Sequence, residues 1–106
     1  MLKLDPRYLK MLLGILEAYV PDMQVLAYGS RVNGRSHPGS DLDLVVMNPL
    51  DPKLFQKNLG ALREALSESN LPIHVDVLDW ARIPDDFQEE IKKNYVCIMG
   101  EMESVC

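Results

Sequence analysis

The chain has 106 residues, 47% of them hydrophobic, with a formal net charge of −5. That length fits one domain and leaves no room for a second, so residues 1–106 are expected to form a single domain. A protein that neutralises many nucleic-acid phosphates shows a basic stripe; here eleven Lys and Arg are scattered among sixteen Asp and Glu, which argues against nucleic acid as the main partner.

The N-terminal stretch MLKLDPRYLKMLLGIL carries Lys3, Asp5, Arg7 and Lys10 between its apolar residues. It therefore holds neither the apolar run of a signal peptide nor a membrane span of ~20 apolar residues, and a cytoplasmic protein without membrane contact is expected. Leu9, Leu12, Leu13, Leu16 and Val20 recur at helical spacing, which predicts a helix over residues 6–19 with Asp5 as its N-cap and Pro6 at its first position. Pro21-Asp22 breaks it. Residues 23–29 (MQVLAYG) are rich in strand formers and end at Gly29. The loop signals Asn33-Gly34 and Pro38-Gly39 follow, and the first turn, residues 30–33, is expected as a short helix capped by Ser30.

Residues 41–47 (DLDLVVM) read as a second strand, closed by Asn48-Pro49. Leu54, Phe55, Leu59, Leu62 and Leu66 form the stripe of an amphipathic helix over residues 52–69. Leu71-Pro72 leads into a third strand, IHVDVLDW, residues 73–80; a last helix over 85–94 and a final strand over 95–99 complete the chain. Cys97 and Cys106 show neither CxxC nor metal-ligand spacing, so two free thiols are expected. This order of elements predicts an α/β (α+β) layer fold, with helices over a small sheet. The link between the first two strands is about eleven residues, too short for a helical crossover of a dozen or more. Those strands are expected to be antiparallel and the sheet mixed.

Asp41 and Asp43 are the anomaly. On a strand, positions i and i+2 project from one face ~6.6 Å apart. Two ionised carboxylates at that separation repel by roughly 2–3 kcal/mol at an effective dielectric of about 20. Solvation at a strand start would account for an isolated pair. This pair, however, opens an otherwise apolar strand immediately after Gly39-Ser40, and a third acid, Asp76, interrupts another between Val75 and Val77. Three carboxylates on two strands suit a hard cation such as Mg²⁺. Two such ions ~3.5–4 Å apart can clamp the attacking and leaving oxygens of a phosphoryl displacement. Asp79 alternates to the opposite face from Asp76 and sits at the strand end, where solvation or capping explains it.

Gly29-Ser30 follows a strand and opens a turn, where outward N–H groups and the missing side chain let a phosphate approach. Ser30 adds a hydroxyl donor, and Arg31 and Ser40 are further nucleotide-binding candidates on the same loop; Arg35 is a second positive charge there. The segment GSRVNGRS, residues 29–36, nearly spells a P-loop, but Arg35 stands where that motif needs lysine and Pro38-Gly39 follows where its helix should begin. The P-loop reading is rejected.

Gly29-Ser30, the ten residues that follow, Asp41-Leu42-Asp43 and the later strand aspartate together resemble the signature of the DNA polymerase β-like nucleotidyltransferase superfamily. Within it the chain is similar to the minimal nucleotidyltransferases of bacteria and archaea. The resemblance implies a palm-like mixed sheet with helices mainly on one face. It implies transfer of a nucleoside monophosphate, AMP from ATP, to a hydroxyl. Asp41, Asp43 and Asp76 would be the catalytic acids and the ligands of a two-metal Mg²⁺ site, Gly29 and Ser30 would hold the triphosphate, and Asp76 would help deprotonate the acceptor. The implied partner is an all-helical HEPN-type or related substrate-binding protein encoded nearby. A tyrosine of that partner would be the acceptor, and the enzyme would act as the antitoxin of a toxin–antitoxin system. Tyr8, Met11, Ile15 and Tyr19 on the first helix are candidates for a partner surface, with a core role as the other reading. The rival functions are a binding-only antitoxin subunit that masks its partner, and a nucleotidyltransferase acting on a small molecule.

Overall fold

Asp5 and Pro6 start the first helix as their chemistry dictates. The computed structural model describes residues 2–35 and 39–100. In it α1 spans Pro6–Tyr19, with the Asp5 carboxylate accepting from the Arg7 N–H at 2.8 Å and Pro6 in the first turn. The Arg7 guanidinium hydrogen-bonds to the same carboxylate, which holds the Asp5 carboxyl below its ordinary range. Then follow β1 (Gln24–Tyr28), α2 (Ser30–Asn33), β2 (Leu42–Met47), α3 (Leu59–Glu68), β3 (Val75–Asp79), a 3₁₀ turn (Trp80–Arg82), α4 (Asp85–Lys93) and β4 (Val96–Met99).

The four strands form one sheet in the order β3-β2-β1-β4. β1 runs antiparallel to β2 and to β4, while β2 and β3 are parallel with α3 as the crossover. The expected mixed sheet is therefore present. Strand side chains alternate between its faces. Val25, Leu44 and Val46 meet Leu12 and Leu16 of α1 and Leu62 of α3; Leu26, Val45 and Met47 meet Trp80 and Ile91 on the other side. Each fully buried leucine contributes about 1.5–3 kcal/mol. α1 and α3 thus cover one face, and the 3₁₀ turn with α4 covers part of the other. On α1, Tyr8, Met11 and Ile15 are partly buried, Ile15 against the core, and Tyr19 is exposed.

Four local expectations are corrected. α3 begins at Leu59, not at residue 52, and Leu54 and Phe55 are exposed rather than on its apolar stripe. Side chains supply the backbone acceptors that a helix would: Asn48 takes the Leu50 N–H, Asp51 takes that of Lys53, and Asp79 takes that of Gln56. The N-cap of α2 is Gly29 rather than Ser30, and no side chain caps it. Trp80 leaves the third strand for the 3₁₀ turn because the Asp79 carboxylate captures the Ala81 N–H. Cys97 is disulfide-bonded rather than a free thiol, since spacing along the chain does not say which sulfurs the fold brings together. Cys106 lies outside the described residues, as do Ser36, His37 and Pro38 of the loop between the first two strands. No helix among the described residues is long and apolar enough to cross a membrane.

Candidate active site

Asp43 lies one residue inside β2, between two register partners: Tyr28 on β1 and Asp76 on β3. Aligned residues on neighbouring strands share a face ~4.8 Å apart. Tyr28, Asp43 and Asp76 therefore make a row across one end of the sheet. They stand on the side of Leu26 and Val45, since Leu42 and Leu44 flanking Asp43 point into the opposite core. Phe87 of α4 closes the row beyond Tyr28, edge to face at 5.7 Å. Asp41, exposed, immediately precedes β2.

The carboxylates in this row have no ion-pair partner among the described residues. Burial first, then the negative charges of Asp76 and Asp41, push the Asp43 carboxyl above its ordinary range, and His74 pulls it back in part. The Tyr28 phenol is raised too, by burial and then by Asp43 and Asp76. Among the described residues, none of the Asp41, Asp43 and Asp76 carboxylates forms an ion pair or accepts a hydrogen bond.

The turn after β1 faces the same place. Gly29 has φ 81°, and a side chain there would collide with the Asp43 carboxylate, its Cβ lying 3.3 Å from Cγ and on top of Oδ2. Glycine is what lets the turn lie against the acid. Its carbonyl accepts from both the Val32 and Asn33 N–H groups at 3.0 Å, winding α2. Ser30, partly buried, is the first residue of that helix.

Arg31, a nucleotide-binding candidate by sequence, is buried, with 7% of its surface exposed. Its Nε donates to the Ser40 carbonyl at 3.0 Å and its Nη1 to the Lys3 carbonyl at 2.9 Å. Ser40 is partly buried and sits next to Asp41, and Arg35 is exposed. The structure thus brings together Asp43, Asp76 and the Gly29-Ser30 turn, keeps Asp41 at the rim, and uses Arg31 to hold backbone.

Among the described residues no three His, Cys, Asp or Glu side chains stand close enough to hold a metal ion by themselves. Mg²⁺ is commonly held by one or two carboxylates together with substrate phosphates, not by an all-protein cage. Hard oxygen donors, uncompensated negative charge on Asp43 and a glycine turn alongside fit that arrangement.

Sequence reasoning passed over Tyr28 and His74 as members of this cluster. Tyr28 was legible in principle: it precedes Gly29, and antiparallel pairing across the loop places it opposite Asp43. His74 alternates onto the Asp76 face, and its carbonyl accepts the Leu42 N–H at 2.9 Å. A cavity of about 260 Å³ beside β3 is lined by His74, Asp76, Arg63 and Ser67, among others.

The sequence matches the family described as polymerase beta, nucleotidyltransferase, over residues 12–104. It is 46% identical over 93 residues to a probable protein adenylyltransferase, MntA, of Haemophilus influenzae, covering 86% of this chain and 78% of that one. A 64-residue stretch is 38% identical to poly(A) RNA polymerase protein 2 of Saccharomyces cerevisiae, 60% of this chain but 11% of the relative. The fold is similar to that of a toxin–antitoxin crystallised with AMP-PNP, with a TM-score of 0.71, 19% identity and coverage of 91% of this chain and 76% of the other. A crystal structure of the toxin–antitoxin MntA-HepT gives 0.67, 16%, 94% and 76%. Those structures bear on the fold alone, whereas the sequence matches extend over most of the chain. With its mixed sheet and its acids at one end, the chain belongs to the polymerase beta nucleotidyltransferase family and is a nucleotidyltransferase.

Proposed function

We propose that this protein, acting as a single catalytic domain, uses Mg²⁺ to transfer AMP from ATP to a tyrosine hydroxyl of an all-helical HEPN-type partner, and so serves as the antitoxin of the pair. The observation that carries the reading is the row of Asp43 and Asp76 laid against the Gly29 turn. The 46% identity to a probable protein adenylyltransferase supports a protein acceptor, and the likeness to toxin–antitoxin structures supports the partner class. ATP as donor places the reaction in the cytoplasm.

Asp41, Asp43 and Asp76 are the groups that would hold Mg²⁺, which when bound offsets the charge of the triphosphate and of the phosphorus under attack. Gly29 and Ser30 offer the turn on which the phosphates rest, with Arg31 and Ser40 shaping the loop beside it. Asp76 accepts the proton of the acceptor hydroxyl as its oxygen bonds to the α-phosphorus; the bond to the bridging oxygen breaks and pyrophosphate leaves. The two carboxylates of the row stay in place on strands, which fixes the attack geometry.

The test is incubation with the helical protein encoded beside it, Mg²⁺ and ATP labelled at the α-phosphate. Label on a tyrosine of the partner, lost with EDTA and with Asp43→Asn, is the expected result. Inhibition of the partner that persists in Asp43→Asn with no label transferred would overturn it in favour of masking.

A further inference from the structure

We propose that Arg31 is a positioning residue for Asp41, acting through the backbone carbonyl of Ser40, and so sets how tightly the acidic end of the sheet takes up a divalent cation. The inference rests on the cation site proposed above.

Asp41 is the loosest of the three acids. It is exposed, lies outside the ladder of β2, and among the described residues has no hydrogen bond or ion pair of its own. Its place is set by the backbone on either side. After it, the Leu42 N–H is fixed to the His74 carbonyl at 2.9 Å. Before it, the Ser40 carbonyl is fixed by Arg31 Nε at 3.0 Å. Leu42 is anchored at the start of β3, and Arg31 holds the backbone on the loop side.

Arg31 is well held for that work. Its Nη1 reaches the Lys3 carbonyl at 2.9 Å, and its own carbonyl accepts the Lys3 N–H at 2.7 Å. Arg31 thus ties α2 to the stretch before α1, 28 residues away in sequence, and to the residue preceding Asp41, nine residues away. A buried guanidinium has a rigid, planar fork of donors, so it can hold two carbonyls at once. An ammonium on a flexible stem cannot match both directions. An arginine that only completed the fold would have no special effect on cation affinity; one that aims Asp41 must.

The experiment measures Mn²⁺ uptake by the full-length protein, from the electron paramagnetic resonance signal of the free ion, with thermal melting recorded for every variant. Arg31→Lys is expected to weaken Mn²⁺ binding about tenfold, as loss of an outer support of a ligand does. In an Asp41→Asn background the same substitution is expected to change nothing further. Val20→Ala, buried at the far end of α1, should lower the melting temperature without weakening Mn²⁺ binding. Lys3→Pro removes the N–H given to the Arg31 carbonyl, together with the lysine side chain and the freedom of φ at residue 3, while leaving the Arg31 side chain in place; it is a second variant expected to shift affinity in the same direction by less. Unchanged affinity in Arg31→Lys, or an equal loss in the Asp41→Asn background, overturns the inference while leaving the cation site standing. No Mn²⁺ uptake by the unaltered protein, or none that depends on Asp43, overturns the cation site and this inference with it.

Discussion

Asp76 and Asp79 lie three positions apart on β3, and the protein completes one and leaves the other open. Asp79 is 3% exposed; its Oδ1 accepts from the Ala81 N–H at 3.1 Å, its Oδ2 from the Gln56 N–H at 2.9 Å, and Arg82 Nε stands 3.2 Å from the same oxygen. Asp76 is exposed beside another carboxylate and has no such partner among the described residues. The Asp79 end is finished by the chain itself, and its acid ties the 48–58 segment and the 3₁₀ turn to the sheet. The Asp76 end carries like charges that no ion pair neutralises among the described residues. A buried acid with every oxygen occupied is architecture; an acid facing another acid points to a cation.

Substitutions at the two ends should separate these roles. Asp43→Asn is expected to lower AMP transfer at least about 10³-fold, roughly 4 kcal/mol of transition-state stabilisation. Its melting temperature should hold or rise, because a like-charge contact is gone. A large loss of stability in that variant would erase the contrast. Asp79→Ala should do the reverse, costing about 2–3 kcal/mol in denaturant unfolding because two N–H groups lose their acceptor. Most of that is hydrogen bonding, since Arg82 is largely exposed and screened by solvent. Transfer per folded molecule should stay unchanged.

Gly29→Ala sits between these cases. Backbone at φ 81° and ψ −155°, a region almost confined to glycine, costs about 1–3 kcal/mol for a residue with a Cβ, and the new methyl displaces the Asp43 carboxylate. Transfer should fall about 10²-fold, as for a misplacement of ~1 Å, which kinetics on the folded variant would show. The smallest effect is in the pH dependence. Asp43 has a folded-state pKa raised by burial and by Asp76 and Asp41, so below the ordinary carboxylate range it is protonated in both states and costs nothing. As pH rises from that range through the raised value, the unfolded chain ionises first and stability falls. The advantage of Asp43→Asn over the unaltered protein should grow across that window and stay flat below it. It should be the smallest of these effects, because the carboxyl is only partly buried and solvent screens its neighbours. A pH-independent difference would mean that the acids do not feel one another.

Much of this was legible from residue order. α1 falls where Asp5, Pro6 and the leucine spacing put it, and the short link between β1 and β2 dictated their antiparallel pairing. The start of α3 was not legible. Leu54 and Phe55 keep helical spacing with Leu59, but the acceptor that captures the Gln56 N–H is Asp79, 23 residues away. At the site, alternation along β3 was enough to choose Asp76 over Asp79. It could not show that Asp79 would be buried, or that Arg31 would leave solvent to hold two carbonyls, because both depend on which distant backbone groups the fold brings within reach.

The sheet order has a further consequence. Among the described residues β3 is outermost in the sheet, and the flank of Asp76 away from β2 carries the Arg63 guanidinium on the Val77 carbonyl and the cavity beside it. The proton-accepting side of the proposed site is therefore a border position that opens on this cavity. A substrate as bulky as another folded protein, as proposed above, could be presented to Asp76 from that border with every strand left where it is.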